Sequence, residues 1–484
     1  MTTRRDFIGA AAAGAASFPF GAFAAKSASS NLTFGVLSDT RFGENYQDAP
    51  RRLEEVLRFF RQKDVDAVAF LGDITQTGRI VELEAFADVW SRVFPGGRGK
   101  GGSKVELLIV TGDHDAAKSQ SKWKNMPKEK AEAEFFAYGD NPKKIWKRLF
   151  NQEWEPVWKR DVKDYSFIGA QDALFKPKVD EFMAKTGPTL SHDKPFFFLN
   201  HMFPAKIGCG LSHLGTGDKV LSKALSPFPN AVSLTGHSHL ALTDEHAVWQ
   251  GAFTSICAGS FYASSAEYSR ENVSVGWHQT YRSHVMKIDD GVVGQGGALL
   301  VQVSDAQIKA QRLHVPSACK QSLGPVWKLS VPAQPGGAYD YERRKSARRA
   351  PQFAAGARLG VEFCPNGHPE LGPSYKGKPC YCVTIPCAKT VKAPRSGEVC
   401  RVFDYVVTAK TAGKDPVVLT VMSPGATKPE SMANADGICL VPASRLAEGQ
   451  QIRFTVVPRE CFGLEGKPIT KIFLPQTGAD TAKK

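Results

Sequence analysis

Seven side chains able to bind a divalent cation stand in this chain, each just past a short apolar run: Asp39, Asp73, Asp113, His114, His201, His237 and His239. The most compact group is Leu234-Thr235-Gly236-His237-Ser238-His239. Residues 231–235 read as a buried strand, and Gly236 permits a tight turn at its end, so both imidazoles can face one cavity. Imidazole is the commonest metal ligand. A His-x-His pair alone is more often an ordinary polar loop; it is the other strand-end clusters that shift the balance. Carboxylates mixed with imidazoles suit Mn, Fe or Zn rather than Ca or a structural zinc-thiolate site. One carboxylate can bridge two such ions about 3.5–4 Å apart, the arrangement used for in-line phosphoryl displacement.

The elements that must position these groups follow a regular order. A strand over 32–37 ends at Ser38-Asp39-Thr40-Arg41. A helix over 50–62 carries Leu53, Val56, Leu57 and Phe60 on one face. A strand over 65–71 ends at Gly72-Asp73, a helix covers 81–94, and a strand over 105–110 ends at Gly112-Asp113-His114-Asp115. This alternation predicts an α/β unit with parallel strands, whose ligands collect at the carboxyl ends. Residues 116–163 read as an insertion beside the site, helical at 143–150, with Trp123, Trp146, Trp154 and Trp158 among many lysines. Aromatics at helical spacing are usually core, so a basic amphipathic cover on the sheet is expected, with substrate contact as the alternative. Further strands are expected at 165–169, 195–199 (ending at Asn200-His201), 252–257, 298–303 and 309–315, with a helix at 175–185.

Five blocks in this order resemble the calcineurin-like metallophosphoesterase family: Asp39-Thr40-Arg41, Gly72-Asp73, Gly112-Asp113-His114-Asp115, His201 and Gly236-His237-Ser238-His239, within residues 32–315. The resemblance implies a four-layer α/β/β/α fold: two packed β-sheets flanked by helices, with a two-metal site at the strand ends. It further implies that Asp73 bridges the ions, that Asp39 and His239 bind the first, and that Asp113, His201 and His237 bind the second. His114, paired with Asp115, would protonate the leaving oxygen or stabilise the charged phosphoryl group, and a metal-bound hydroxide would be the nucleophile. Two positions depart from the pattern. Asp113 stands where the family usually has asparagine, which is compatible with a cation. Arg41 stands where the family has a metal-ligand histidine, and a guanidinium is no ordinary ligand. The first site is then weak, or His278 or His284 substitutes, or Arg41 clamps a phosphate oxygen, or it ion-pairs with Asp39 or Asp113 in an inactive site. Two divalent ions, or one, are expected.

The N-terminus carries a leader. Thr3-Arg4-Arg5-Asp6-Phe7-Ile8 is a twin-arginine pattern, followed by an Ala-rich stretch and the small-x-small site Ala22-Phe23-Ala24. Residues 1–24 are therefore expected to be removed on export to the periplasm or beyond. No later apolar run is long enough for a transmembrane helix. The 484 residues have 42% hydrophobic and 23% charged composition, which is globular, and a net charge of +14. The densest basic patch, Arg343-Arg344-Lys345 with Arg348-Arg349, falls in an expected linker at 317–357 and reads as a solvated surface; no nucleic-acid-binding motif accompanies it.

The phosphoesterase domain is expected over 25–316. From residue 358 to 484 short strands recur between turn residues without helical patterning, which predicts a β-sandwich of immunoglobulin or fibronectin type. Eight cysteines lie past residue 316: Cys319, Cys364, Cys380, Cys382, Cys387, Cys400, Cys439 and Cys461. In an exported segment they suggest disulfides; a zinc site from Cys364, His368, Cys380 and Cys382 is the competing reading. The expected activity is that of a metal-dependent phosphatase, phosphodiesterase or nucleotidase acting on a phosphoester outside the cytoplasm. The alternative is a catalytically degenerate relative that binds a partner through the sandwich, with Arg41 as its support.

Overall fold

The computed structural model describes residues 31–207, 218–262, 296–368, 377–393, 398–426 and 428–475. The segment expected to be a leader, Cys209, His278 and His284 lie outside them. Strands β1 (Leu32–Leu37), β2 (Ala67–Leu71) and β3 (Glu106–Val110) alternate with helices α1 (Ala49–Gln62) and α2 (Ile80–Val93), as the apolar pattern predicts. Every residue of β1 and β2 is buried. Such two-sided burial is the mark of parallel strands covered on both faces. Helices α3 (Ala117–Trp123), α4 (Lys128–Glu134) and α5 (Asn141–Phe150) follow. Then come β4 (Val157–Val162), β5 (Tyr165–Ala170), α6 (Val179–Thr186), β6 (Phe196–Leu199), α7 (Lys219–Leu225) and β7 (Ala231–Thr235). Strands β8 (Val248–Gln250), β9 (Thr254–Cys257), β10 (Gly297–Ser304), β11 (Gln307–His314) and β12 (Trp327–Ser330) complete the first part.

These strands form two six-stranded sheets, ordered β12-β11-β10-β1-β2-β3 and β4-β5-β6-β7-β9-β8. Their facing sides share one apolar core, in which Phe34, Val36 and Leu108 meet Phe167, Phe197 and Leu234. On the outer face of the first sheet, Leu53, Val56 and Phe60 of α1 pack with Phe86 and Trp90 of α2. Val179, Met183, Leu221 and Leu225 of α6 and α7 cover the second. The four layers are thus helix, sheet, sheet, helix. Trp146, Phe150 and Trp154 join the α1–α2 layer, so the Lys- and Trp-rich insertion is a cover on the sheet. Three edge strands were not expected, among them β8, which pairs with β9. The segment β4 sits in the presumed insertion, and β12 pairs with β11 inside the presumed linker.

Beyond them lie small antiparallel sheets. Strands β13 (Gly360–Cys364), β14 (Cys380–Ile385) and β19 (Gly437–Pro442) form one. A second joins β15 (Val391–Lys392) to β16 (Val399–Cys400). A third, ordered β18-β17-β20-β21, contains β17 (Asp404–Lys410), β18 (Val417–Met422), β20 (Ile452–Arg459) and β21 (Ile469–Phe473). The two larger sheets share a core of Val383, Ile385, Val407, Leu419, Phe454 and Val456. The expected disulfides are not formed: all nine cysteines among the described residues are free thiols. No helix among the described residues is long and apolar enough to cross a membrane.

The basic run at 343–349 is a second correction. Arg344 and Arg348 are buried, not solvated. Arg344 and Arg312 both pair with buried Glu245, at 2.5 and 2.7 Å. Arg344 and Arg348 share Glu398, and Arg348 also reaches Glu460 at 2.6 Å. Carboxylates distant in sequence thus compensate these cations and bind the first part of the chain to the small sheets.

Candidate metal centre

All seven candidate ligands arrive at carboxyl ends of strands: Asp39 after β1, Asp73 after β2, Asp113 and His114 after β3, His201 after β6, and His237 and His239 after β7. Backbone bonds align the loops, with Asp39 N donating to Gly72 O, Arg41 N to Asp73 O and Gly236 N to His201 O, each at 3.0 Å. Close approach requires glycine at two places. A Cβ on Gly112 would lie 2.3 Å from Asp73 Oδ1, and one on Gly236 1.7 Å from Ser38 Oγ. The side chains that converge do so from left-handed backbone: φ is 56° at Asp39, 55° at Arg41, 51° at Asp73, 60° at His237 and 51° at His239. Each costs about 1 kcal/mol or more for a residue with a Cβ, and such positions gather at functional sites.

One half of the centre has the spacing of a metal shell. His201 Nε2 lies 3.3 Å from Asp113 Oδ1 and 3.3 Å from Asp73 Oδ2. His237 Nδ1 lies 3.1 Å from Asp113 Oδ1 and 3.2 Å from His201 Nε2. Ligands about 2.0–2.1 Å from a tetrahedral ion stand roughly 3.3 Å apart, so the Asp113, His201 and His237 donors fit one ion, while Asp73 reaches the group through His201 and belongs to a second triad with Asp39 and His201. His201 Nδ1 donates to Leu71 O at 2.7 Å, which leaves Nε2 facing the site. His114 N donates to Asp73 Oδ1 at 2.8 Å and fixes that carboxylate. Burial pushes the Asp113 carboxyl up, but hydrogen bonds from His201 and His237 outweigh it and hold it far below the usual carboxylate range. Burial likewise opposes a charged His201, yet Asp73 and Asp113 raise it well above an ordinary histidine.

The other half is filled by Arg41. Its Nη2 stands 2.8 Å from Asp73 Oδ2, 3.4 Å from Asp39 Oδ1 and 2.9 Å from His239 Nε2. The contact to Asp73 is an ion pair without a directed hydrogen bond. His239 Nε2 also reaches Asp39 Oδ1 at 2.9 Å. The guanidinium therefore stands among the atoms that the resemblance gives to a first ion, where Asp39, Asp73 and His201 each place one donor atom within 4.8 Å of the others. Its Nη1 bonds His114 Nε2 and Gln76 Oε1. These protein acceptors engage both terminal nitrogens of the fork, while Nε is buried with no hydrogen-bond partner.

The expected His114–Asp115 pair is absent. Asp115 instead accepts from Ile74 N, Thr75 N, Thr75 Oγ1 and Gly112 N, and so braces the two loops. Burial, then Asp73, push its carboxyl up to about 7 despite these donors. His114 Nδ1 donates to Gln76 O at 2.8 Å, which makes Nε2 an acceptor. It accepts from Arg41 and from Lys118 Nζ. Burial, with Arg41 and Lys118, holds His114 down to about 4, so the neutral ring anchors two cations. Lys118, 3.3 Å from Asp113 Oδ2, escaped the sequence reading. Its only signal was its place four residues past His114 at the start of α3. Asp115→Ala leaves four donors without their acceptor and is expected to cost about 2–4 kcal/mol in chemical denaturation. A purely catalytic Asp115 would leave the unfolding midpoint unmoved.

Residues 32–241 match the model of the calcineurin-like phosphoesterase family. The calcineurin-like match thus spans every candidate ligand, and the two packed sheets are the metallophosphoesterase fold. Among solved structures, a dimetal phosphatase from Danio rerio is similar at 10% identity and TM-score 0.36, covering 62% of this chain and 99% of its own. A purple acid phosphatase from yellow lupin seeds is similar at 13% identity and TM-score 0.38, covering 64% of this chain and 57% of its own. No curated protein is a significant match to the chain.

Proposed function

We propose that this protein is a metal-dependent phosphoester hydrolase, of the phosphatase, phosphodiesterase or nucleotidase class, that works with one divalent ion and one built-in guanidinium. The observation that carries the reading is the triad of donor atoms from Asp113, His201 and His237, spaced 3.1–3.3 Å from one another, with Asp73 Oδ2 3.3 Å from His201 Nε2. A divalent ion of the Mn, Fe or Zn class held there supplies Lewis acidity toward a phosphoryl oxygen and a nucleophile at neutral pH. Arg41 supplies the positive charge of the missing ion, and Lys118 adds a second cation facing the charge that develops on the transferring group. His114 holds both cations in place rather than donating a proton. The twin-arginine pattern Thr3-Arg4-Arg5-Asp6-Phe7-Ile8 supports export, and we read this chemistry as acting in the periplasm or outside the cell. We read the small sheets as a module of immunoglobulin or fibronectin type, supported by the shared core of their two larger sheets.

The test is to restore the family's histidine. Wild-type protein is expected to bind one manganese ion at this centre and to hydrolyse p-nitrophenyl phosphate or its bis ester. Arg41→His frees the first position and is expected to bind two. A second reading, a degenerate relative that binds a partner, draws on the ion pairs that tie Arg41 to Asp39 and Asp73. It is favoured if wild-type protein neither binds manganese nor turns over either substrate.

A further inference from the structure

A second group of metal-competent side chains lies away from the strand ends, where the first part of the chain meets the small sheets. Asp244 and His246 flank Glu245 in the segment that continues from the His237–His239 loop. Cys461 follows β20 on the other side of the junction. One carboxylate oxygen, one ring nitrogen and the Cys461 sulfur lie within 4.8 Å of one another. The three residues are only 0%, 3% and 5% exposed, so a bare charge among them would be costly.

Their local bonding is incomplete. Asp244 Oδ1 accepts from His246 N and stands 2.9 Å from His246 Nδ1. Asp244 Oδ2 is buried with no hydrogen-bond partner. The other nitrogen of His246 has a long contact, 3.4 Å, to Tyr341 Oη, and the ring is held against Phe462 with centroids 4.5 Å apart. The Cys461 sulfur lies 3.6 Å from Glu460 Oε2. A buried carboxylate with one oxygen unmatched asks for a cation.

We propose that Asp244, His246 and Cys461 form a structural zinc-type site that clamps the site-bearing loop of the phosphoesterase fold to the C-terminal sheets. Sulfur, nitrogen and oxygen donors together select a borderline ion such as zinc over manganese or calcium. The charges balance, since one carboxylate and one thiolate with a neutral imidazole offset a divalent ion. On binding, the Cys461 S–H bond breaks, its proton leaves to solvent, and the electron pair goes to the metal–sulfur bond. A water completes the shell. No redox partner is needed. The metal centre at the strand ends has only oxygen and nitrogen donors, so the two sites differ in spectrum, and failure of one does not imply failure of the other.

The test uses the full mature chain loaded with cobalt(II). The site predicts a thiolate-to-cobalt charge-transfer band in the near ultraviolet at one sulfur-bound cobalt per chain. Cys461→Ser abolishes it. Asp244→Asn and His246→Gln weaken it by removing a different ligand each, which keeps the test alive if Cys461→Ser fails to fold. Cys380→Ser, in a neighbouring sheet, leaves the band in place. Absence of the band in wild-type protein, its persistence in Cys461→Ser, or its loss in Cys380→Ser alone overturns the proposal.

Discussion

His201→Ala is expected to lower kcat/KM on a chromogenic phosphoester by about a thousandfold, or about 4 kcal/mol at 1.36 kcal/mol per tenfold. His201 is common to both groups of donor atoms at the strand ends, one with Asp113 and His237 and one with Asp39 and Asp73. Removing it breaks both triads, and with them several kcal/mol of charge stabilisation. The loss should fall on kcat more than on KM, because the interaction serves the transition state. Far-ultraviolet circular dichroism should be unchanged, since Asp73 and Asp113 keep Arg41 and Lys118 as ion partners. A variant retaining more than a tenth of wild-type activity would remove His201 from the chemistry.

Glu245→Ala is expected to destabilise the protein by about 3–5 kcal/mol, the usual cost of removing one partner from a buried ion pair. Here two cations lose their carboxylate, Arg312 and Arg344, and Trp327 Nε1 loses its acceptor at 3.0 Å. Arg343→Ala, at an exposed neighbour, should shift stability by less than about 0.5 kcal/mol. The pH dependence has a definite sign. Burial pushes Glu245 up, but Arg312, Arg344 and Arg348 outweigh it and hold the carboxyl below its ordinary value of 4.5. A depressed carboxyl contributes its stability above the unfolded value and loses it as pH falls toward the folded one. The gap between wild type and Glu245→Ala should therefore be full at neutral pH and narrow on acidification below about 4.5. Equal unfolding midpoints at pH 7 would show that the junction is not held this way.

The interior of the fold was legible because its strands are apolar along their whole length. Both faces of β1, β2 and β7 are covered, so the run itself marks the strand. The edge strands β4, β8 and β12 were not legible. Lys159 and Asp161 in β4 are exposed and Arg160 between them is half-buried, and only the register with β5 shows that this charged run belongs to a sheet. The run at 343–349 misled for a related reason. Charge on a sequence reads as solvated, whereas the partners that bury Arg344 and Arg348 are 99 and 112 residues away. At the site, residue type and order located the strand-end groups. They could not show that Arg41 fills the first half, because that depends on Asp39, Asp73 and His239 closing round it. Nor could adjacency show that Asp115 turns away from His114, toward the amides of Thr75 and Gly112.

Anomalous X-ray scattering from zinc-loaded crystals of the wild-type protein tests the central claim most directly, because it places each ion separately. The account predicts one peak at the strand ends, held by Asp113, His201 and His237, with the Arg41 guanidinium between Asp39 and His239. Two peaks there about 3.5–4 Å apart, the spacing of a paired-ion site, or none at all, would contradict it.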